Sequence, residues 1–159
     1  MTKEVKKTPG DNCIVDAAEF ERNFDVFTEA QLRFLNWNNV FAAGGSVLAA
    51  LMPVPKEHAE SNQTRRNYYH KVAYRNSDVD LFIYGLNEEE ANKKLGKSID
   101  FNSDELKFTK FLEEVYFKIC ESLPCPALCF RSKHAVSIVS QFPYRHIQII
   151  LVRILLTIF

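Results

Sequence analysis

The chain has 159 residues with 20 basic and 20 acidic side chains, and hydrophobic residues make up 47 % of it. That balance fits one globular domain and excludes a wholly disordered chain. A net charge of zero supplies no global positive field, so bulk electrostatic capture of nucleic acid or of an anionic membrane is not indicated. With 13 Phe and 6 Tyr, the core is expected to be rich in Phe.

Residues 1–12, MTKEVKKTPGDN, are polar and aperiodic and read as a flexible leader, with a single domain over 13–159. The leader lacks the apolar stretch of a signal peptide, so a cytoplasmic protein is expected. In that setting Cys13, Cys120, Cys125 and Cys129 stay reduced. From 17 to 37 the apolar spacing is helical, through Phe20, Phe24, Phe27, Leu32 and Leu35. Thr28 followed by Gln31 matches a capping box, which predicts that one helix ends near Val26 and another begins at Glu29. Residues 39–43 predict a short strand ending at Gly44-Gly45. Ser46 is expected to cap a helix over 47–52, which Pro53 and Pro55 stop.

Residues 53–76 are polar without a clear period and read as a long loop, a type of segment that is usually functional or disordered. A strand is predicted over 79–84, a helix over 88–95 capped by Asn87, and a longer helix over 104–122. Three strands then close the chain, over 127–130, 135–139 and 146–159, with Gln141-Phe142-Pro143 joining the last two. The apolar run at the end, broken by Arg153 and Thr157, is too short to cross a bilayer, and no membrane partner is expected. This order predicts an α/β or α+β domain with one mixed sheet flanked by helices.

Two short segments carry the chemistry. Gly44-Gly45-Ser46 stands at a strand-to-helix turn, where glycines let backbone N–H groups approach an anion and a serine hydroxyl adds a donor. Asp78 and Asp80 bracket the start of an apolar strand, and alternation places both carboxylates on one face. Such a pair is a natural Mg²⁺ or Mn²⁺ site, completed by substrate phosphates. A phosphate cradle beside a divalent cation is what phosphoryl or nucleotidyl transfer needs.

F-A-A-G-G-S-V-L followed by N-S-D-V-D-L-F-I-Y-G resembles the signature of the DNA polymerase beta-type nucleotidyltransferases. It is similar to a divergent eukaryotic branch of that superfamily, often associated with ankyrin repeats. The resemblance covers residues 38–95 and extends more faintly to about 153. It implies that Gly45 and Ser46 contact the triphosphate of an NTP, to which the turn at Gly44 adds its backbone, and that Asp78 and Asp80 bind two Mg²⁺ ions as the catalytic pair. The implied reaction transfers a nucleoside monophosphate to an acceptor hydroxyl of unassigned identity. The same family uses a third carboxylate on a neighbouring strand, and none is found here. The corresponding strand runs through His146, Gln148 and Ile150, and Gln148 is the candidate for the vacated position. An amide binds Mg²⁺ weakly and is no base near neutral pH. The alternative reading is a binding module that keeps the fold without catalysis; another is a truncated domain with its third acid beyond Phe159.

Arg65, Arg66, His70, Lys71 and Arg75, interleaved with Tyr68, Tyr69 and Tyr74, offer a triphosphate or base contact, although a solvated loop is the preferred reading. Cys120, Cys125, Cys129 and His134 supply four zinc-type ligands at a spacing that matches no known zinc module, and buried thiols are preferred.

Overall fold

Asp16 starts the first helix by accepting a hydrogen bond from the Glu19 amide at 2.8 Å. The computed structural model describes residues 13–84, 101–132 and 134–154, and for 101–108 and 151–154 it describes the backbone alone. The leader, the helix expected over 88–95 with its cap Asn87, and the end of the last expected strand lie outside the described residues.

Helix α1 (Ala17–Phe27) leads through a turn to strand β1 (Val40–Ala43) and the two-turn helix α2 (Gly45–Leu51). A 3-10 turn (Lys56–His58) and helix α3 (Asn62–Tyr68), running into a π-helical turn (Tyr69–Ala73), lead to strand β2 (Val79–Tyr84). The long helix α4 (Phe101–Ser122) precedes β3 (Leu128–Arg131), β4 (Ala135–Val139) and β5 (Ile147–Ile154). The sheet order is β1-β2-β5-β4-β3, parallel between β2 and β5 and antiparallel elsewhere. The domain is therefore a mixed α+β fold with one five-stranded sheet. No helix among the described residues is long and apolar enough to cross a membrane.

Alternation along the central strands separates two faces. Val79, Leu81 and Ile83 of β2 and Ile147 and Ile149 of β5 are buried and join one cluster with Phe27, Ala49, Leu112, Val115 and Ile119 from the helices. The core is more aliphatic than the Phe count suggested: Phe27 is fully buried, whereas Phe34, Phe117, Phe130 and Phe142 are exposed. The opposite face of the sheet carries Asp80, Phe82 and Gln148, all half-buried.

Three local expectations fail for identifiable reasons. No helix begins at Glu29, because Glu29 and Ala30 take φ of 53° and 54°, a left-handed pair that cannot continue a right-handed helix. Thr28 instead closes α1, its hydroxyl donating to Phe24 O at 2.8 Å. Residues 53–76 are not a loop: Ser61 and Thr64 form a reciprocal capping box that opens α3. Ser46 is not the cap of α2, since that position falls to Gly44 and Ser46 lies inside the first turn.

One buried cation ties these segments together. Arg145, 5 % exposed, lies at the entry to β5. Its guanidinium donates to Phe27 O, Tyr69 O, Tyr74 O and Ser77 O at 2.8–3.1 Å and lies 3.9 Å from the Phe27 ring centroid. Its backbone is held by Gln31, whose amide accepts from Arg145 N at 3.0 Å and donates to Arg145 O at 3.1 Å. Burial lowers the Arg145 pKa to about 10, and the nearby charges of Glu29 and Asp78 oppose that shift. The side chain stays charged at neutral pH.

Removing it takes a donor from four carbonyls at once, of which Tyr69 O and Tyr74 O keep a backbone donor. Arg145→Ala should cost about 3–5 kcal/mol in urea denaturation. Arg145→Lys should recover little of this, because an ammonium lacks the planar fork that reaches four acceptors. An unchanged midpoint in either variant would mean that other donors satisfy these carbonyls.

Candidate functional site

Antiparallel pairing of β1 with β2 sets Ala43 opposite Asp80. The chain then turns at Gly44, whose φ of 76° and ψ of −145° belong to a region that side-chain-bearing residues avoid. A Cβ at position 44 would lie 2.9 Å from Asp80 Oδ2, so the backbone favours glycine and a side chain there would push the carboxylate aside. Gly45 faces Ser77: a Cβ there would lie 3.8 Å from Ser77 Oγ. The structure thus brings the glycine turn and the second aspartate into direct contact.

Ser46 behaves differently. It is fully buried and its hydroxyl donates back to Ala43 O at 3.4 Å, so it is not presented at the surface beside Asp80. Because α2 has only seven residues, its start offers free backbone N–H groups rather than the field of a long helix.

The parallel pairing of β2 with β5 sets Gln148 beside Asp80. Gln148 Nε2 donates to Asp78 Oδ2 at 3.2 Å, so the residue expected in the third acid's position does face the aspartate pair. His146, one turn of the pleat earlier, places Nδ1 3.9 Å from Asp78 Oδ1. Asp80 has no hydrogen-bond or ion-pair partner among the described residues. Burial raises the Asp80 pKa above the usual carboxylate value, and the neighbouring charge of Asp78 raises it further.

No group of three or more His, Cys, Asp or Glu side chains converges on a metal-sized point among the described residues. The residues still fit a divalent cation of the Mg²⁺ type. Two carboxylates share one face, one of them unpartnered and strained by the other's charge, and such ions take their remaining ligands from phosphates and water. Cys120, Cys125 and Cys129 form no disulfide, and with His134 they form no metal-holding group among the described residues.

The basic and aromatic segment is mostly spent on the fold. Arg65, 3 % exposed, pairs with Glu19 at 2.5 Å and with Asn23 Oδ1 at 2.6 Å. Arg66 Nε and His70 Nε2 both reach the buried Glu29 carboxylate, at 2.7 and 2.8 Å. Tyr69 is buried edge-on to Phe27, while Lys71 and Arg75 remain exposed. Sequence reasoning missed Ser77, whose hydroxyl lies beside the glycine turn; its signal was the Ser-Asp step ahead of the strand. Two surface depressions, of about 150 and 280 Å³, are lined by other residues, among them Asn36 and Lys118 in one and Glu29 and Tyr144 in the other.

No protein-family model, curated protein or solved structure matches this chain.

The raised Asp80 value means that the folded protein holds this proton more tightly than the unfolded chain does. The contribution favours the fold below the unfolded carboxylate range and is lost as pH rises through the raised value. Asp80→Asn should therefore raise the thermal midpoint at pH 7, with the gain shrinking toward pH 4. An equal gain at both pH values would argue against charge strain as its source. Gly44→Ala should cost about 1–3 kcal/mol in denaturation, from backbone strain and displacement of Asp80; a neutral result would show that the turn tolerates a side chain.

Proposed function

We propose that this chain is a cytoplasmic, divalent-cation-dependent nucleotide-binding domain of the nucleotidyltransferase type. An NTP would lie with its phosphates at the Gly44–Gly45 turn and beside Asp78 and Asp80. The observation that carries the reading is the contact between Asp80 and Gly44, in which a glycine-specific turn and a strained, unpartnered carboxylate meet on one sheet face. Mg²⁺ or Mn²⁺, when bound, would offset the repulsion between the two carboxylates and place positive charge against the phosphates. The chain's own part is to keep both carboxylates on one face, with Gln148 donating to Asp78 and the Gly44–Gly45 turn beside Asp80.

Binding is preferred to catalysis because of Gln148. Its N–H is directed at Asp78, and an amide has no basicity with which to take a proton from an acceptor hydroxyl. Nucleotidyl transfer to an acceptor is thus the weaker reading for this chain.

The test is thermal denaturation with NTP and Mn²⁺ or Mg²⁺. Ligand at 100 times its dissociation constant should stabilise the native state by ~2.7 kcal/mol, a shift of several degrees. The shift should require the metal and vanish in the Asp78→Asn/Asp80→Asn variant. A cooperatively melting wild type that shows no shift would reject nucleotide binding. Gln148→Glu should tighten metal binding by about tenfold through the added charge. Weaker binding in that variant would mean that Gln148 serves mainly to hold Asp78.

A further inference from the structure

The sheet face that carries the aspartates continues into a row of aromatic rings. Alternation along β2 places Phe82 and Tyr84 on the face of Asp80, one and two pleats further along the strand. Across the antiparallel pair, Phe41 is the partner of Phe82, and it precedes the Gly44 turn by three residues on β1. The Phe41 and Phe82 rings lie 5.3 Å apart at 16°, nearly parallel, and Tyr84 leans against Phe41 at 5.7 Å and 58°. Phe41 and Phe82 are half-buried and Tyr84 is 36 % exposed, so none of the three belongs to the buried cluster. The tyrosines of the basic segment, for which base contact was the less favoured reading, are placed elsewhere: Tyr69 is in the core, and Tyr68 and Tyr74 pack against it.

Resting on the nucleotide reading above, we propose that Phe41, Phe82 and Tyr84 form the subsite for the base of the bound nucleotide. A strand advances about 3.3 Å per residue, so Phe82 begins roughly 7 Å from Asp80, within the reach of a ribose from its phosphates. A planar heterocycle extends a stack of parallel rings through its π-face, which every base possesses. The subsite offers no charged side chain among these three residues, so it takes purine and pyrimidine rings alike and favours the larger purine face. Stacking ability rather than hydrogen-bond readout sets its selectivity.

The test compares ATP, UTP and inorganic tripolyphosphate, each with Mn²⁺, by titration calorimetry on the wild type and on Phe82→Leu. The leucine keeps an apolar side chain and removes the π-face, and its melting curve verifies folding. Wild type should bind ATP on the order of tenfold more tightly than tripolyphosphate, with UTP between them. Phe82→Leu should bring ATP down to the tripolyphosphate level and leave tripolyphosphate unchanged. Equal affinities of the wild type for ATP and tripolyphosphate would overturn the base subsite while the phosphate and metal site stands. A Phe82→Leu variant that weakens both ligands equally would overturn it as well. Absence of metal-dependent binding by all three ligands would overturn the nucleotide reading itself.

Discussion

The guanidinium of Arg145 is the constraint on which the rest depends. A buried charge is tolerated only when its donors are satisfied, and here carbonyls from three separate segments converge to do so. Phe27 O comes from the end of α1, Tyr69 O from the π-helical turn after α3, and Tyr74 O and Ser77 O from the approach to β2. Tyr69 O and Tyr74 O each also accept a backbone N–H, from Tyr74 and Ser77, so for these two the guanidinium is a second donor. The cation thus joins three chain segments at one point. The reciprocal bonds of Gln31 then fix the backbone of Arg145 itself.

That joint stands directly under the candidate site. Ser77 O is held by Arg145, and Asp78 follows it; on the other side His146 and Gln148 follow Arg145 into β5. The parallel register between β2 and β5, which sets Gln148 beside Asp80, is therefore pinned at its entrance by a single residue. Val79 N donates to His146 O at 2.9 Å, the first bond of the ladder beyond the joint. Core and site share this anchor, so a change that loosens Arg145 would shift the carboxylates as well as weaken the fold.

The site itself holds tension that the core does not need. Asp80 is half-buried beside another carboxylate, without a partner among the described residues, and its carboxylate occupies the space beside a glycine in a conformation other residues avoid. Each of these features works against stability, and together they are what a phosphate and a divalent cation would relieve. By contrast, the arginines of α3 are used within the fold: Arg65 pairs with Glu19 and Arg66 with Glu29, which also hydrogen-bonds His70 of the following turn. The difference separates charges that build the fold from charges left available for a ligand.

The sequence by itself determined the elements whose signals are local. The period-two pattern of D-V-D-L-F-I-Y placed both aspartates on one face, and the paired glycines marked the turn before α2. Alternation also put Gln148 on the face where a third acid was sought. Local signals failed where longer-range bonds decided the matter. Thr28 and Gln31 read as a capping box, yet Gln31 is taken by Arg145, 114 positions away, and Glu29 is drawn by Arg66 and His70 into a left-handed turn. The helix α3 lacked an apolar stripe because the residue it buries is Arg65, whose partners lie on α1. Ser46 was readable as a residue in a motif, but its burial depends on packing. The contact of Asp80 with Gly44 and the donation of Gln148 to Asp78 arise from strand register, which joins residues 36 and 70 positions apart. Periodicity reports which face a side chain takes, whereas register and burial are settled only when distant segments pack.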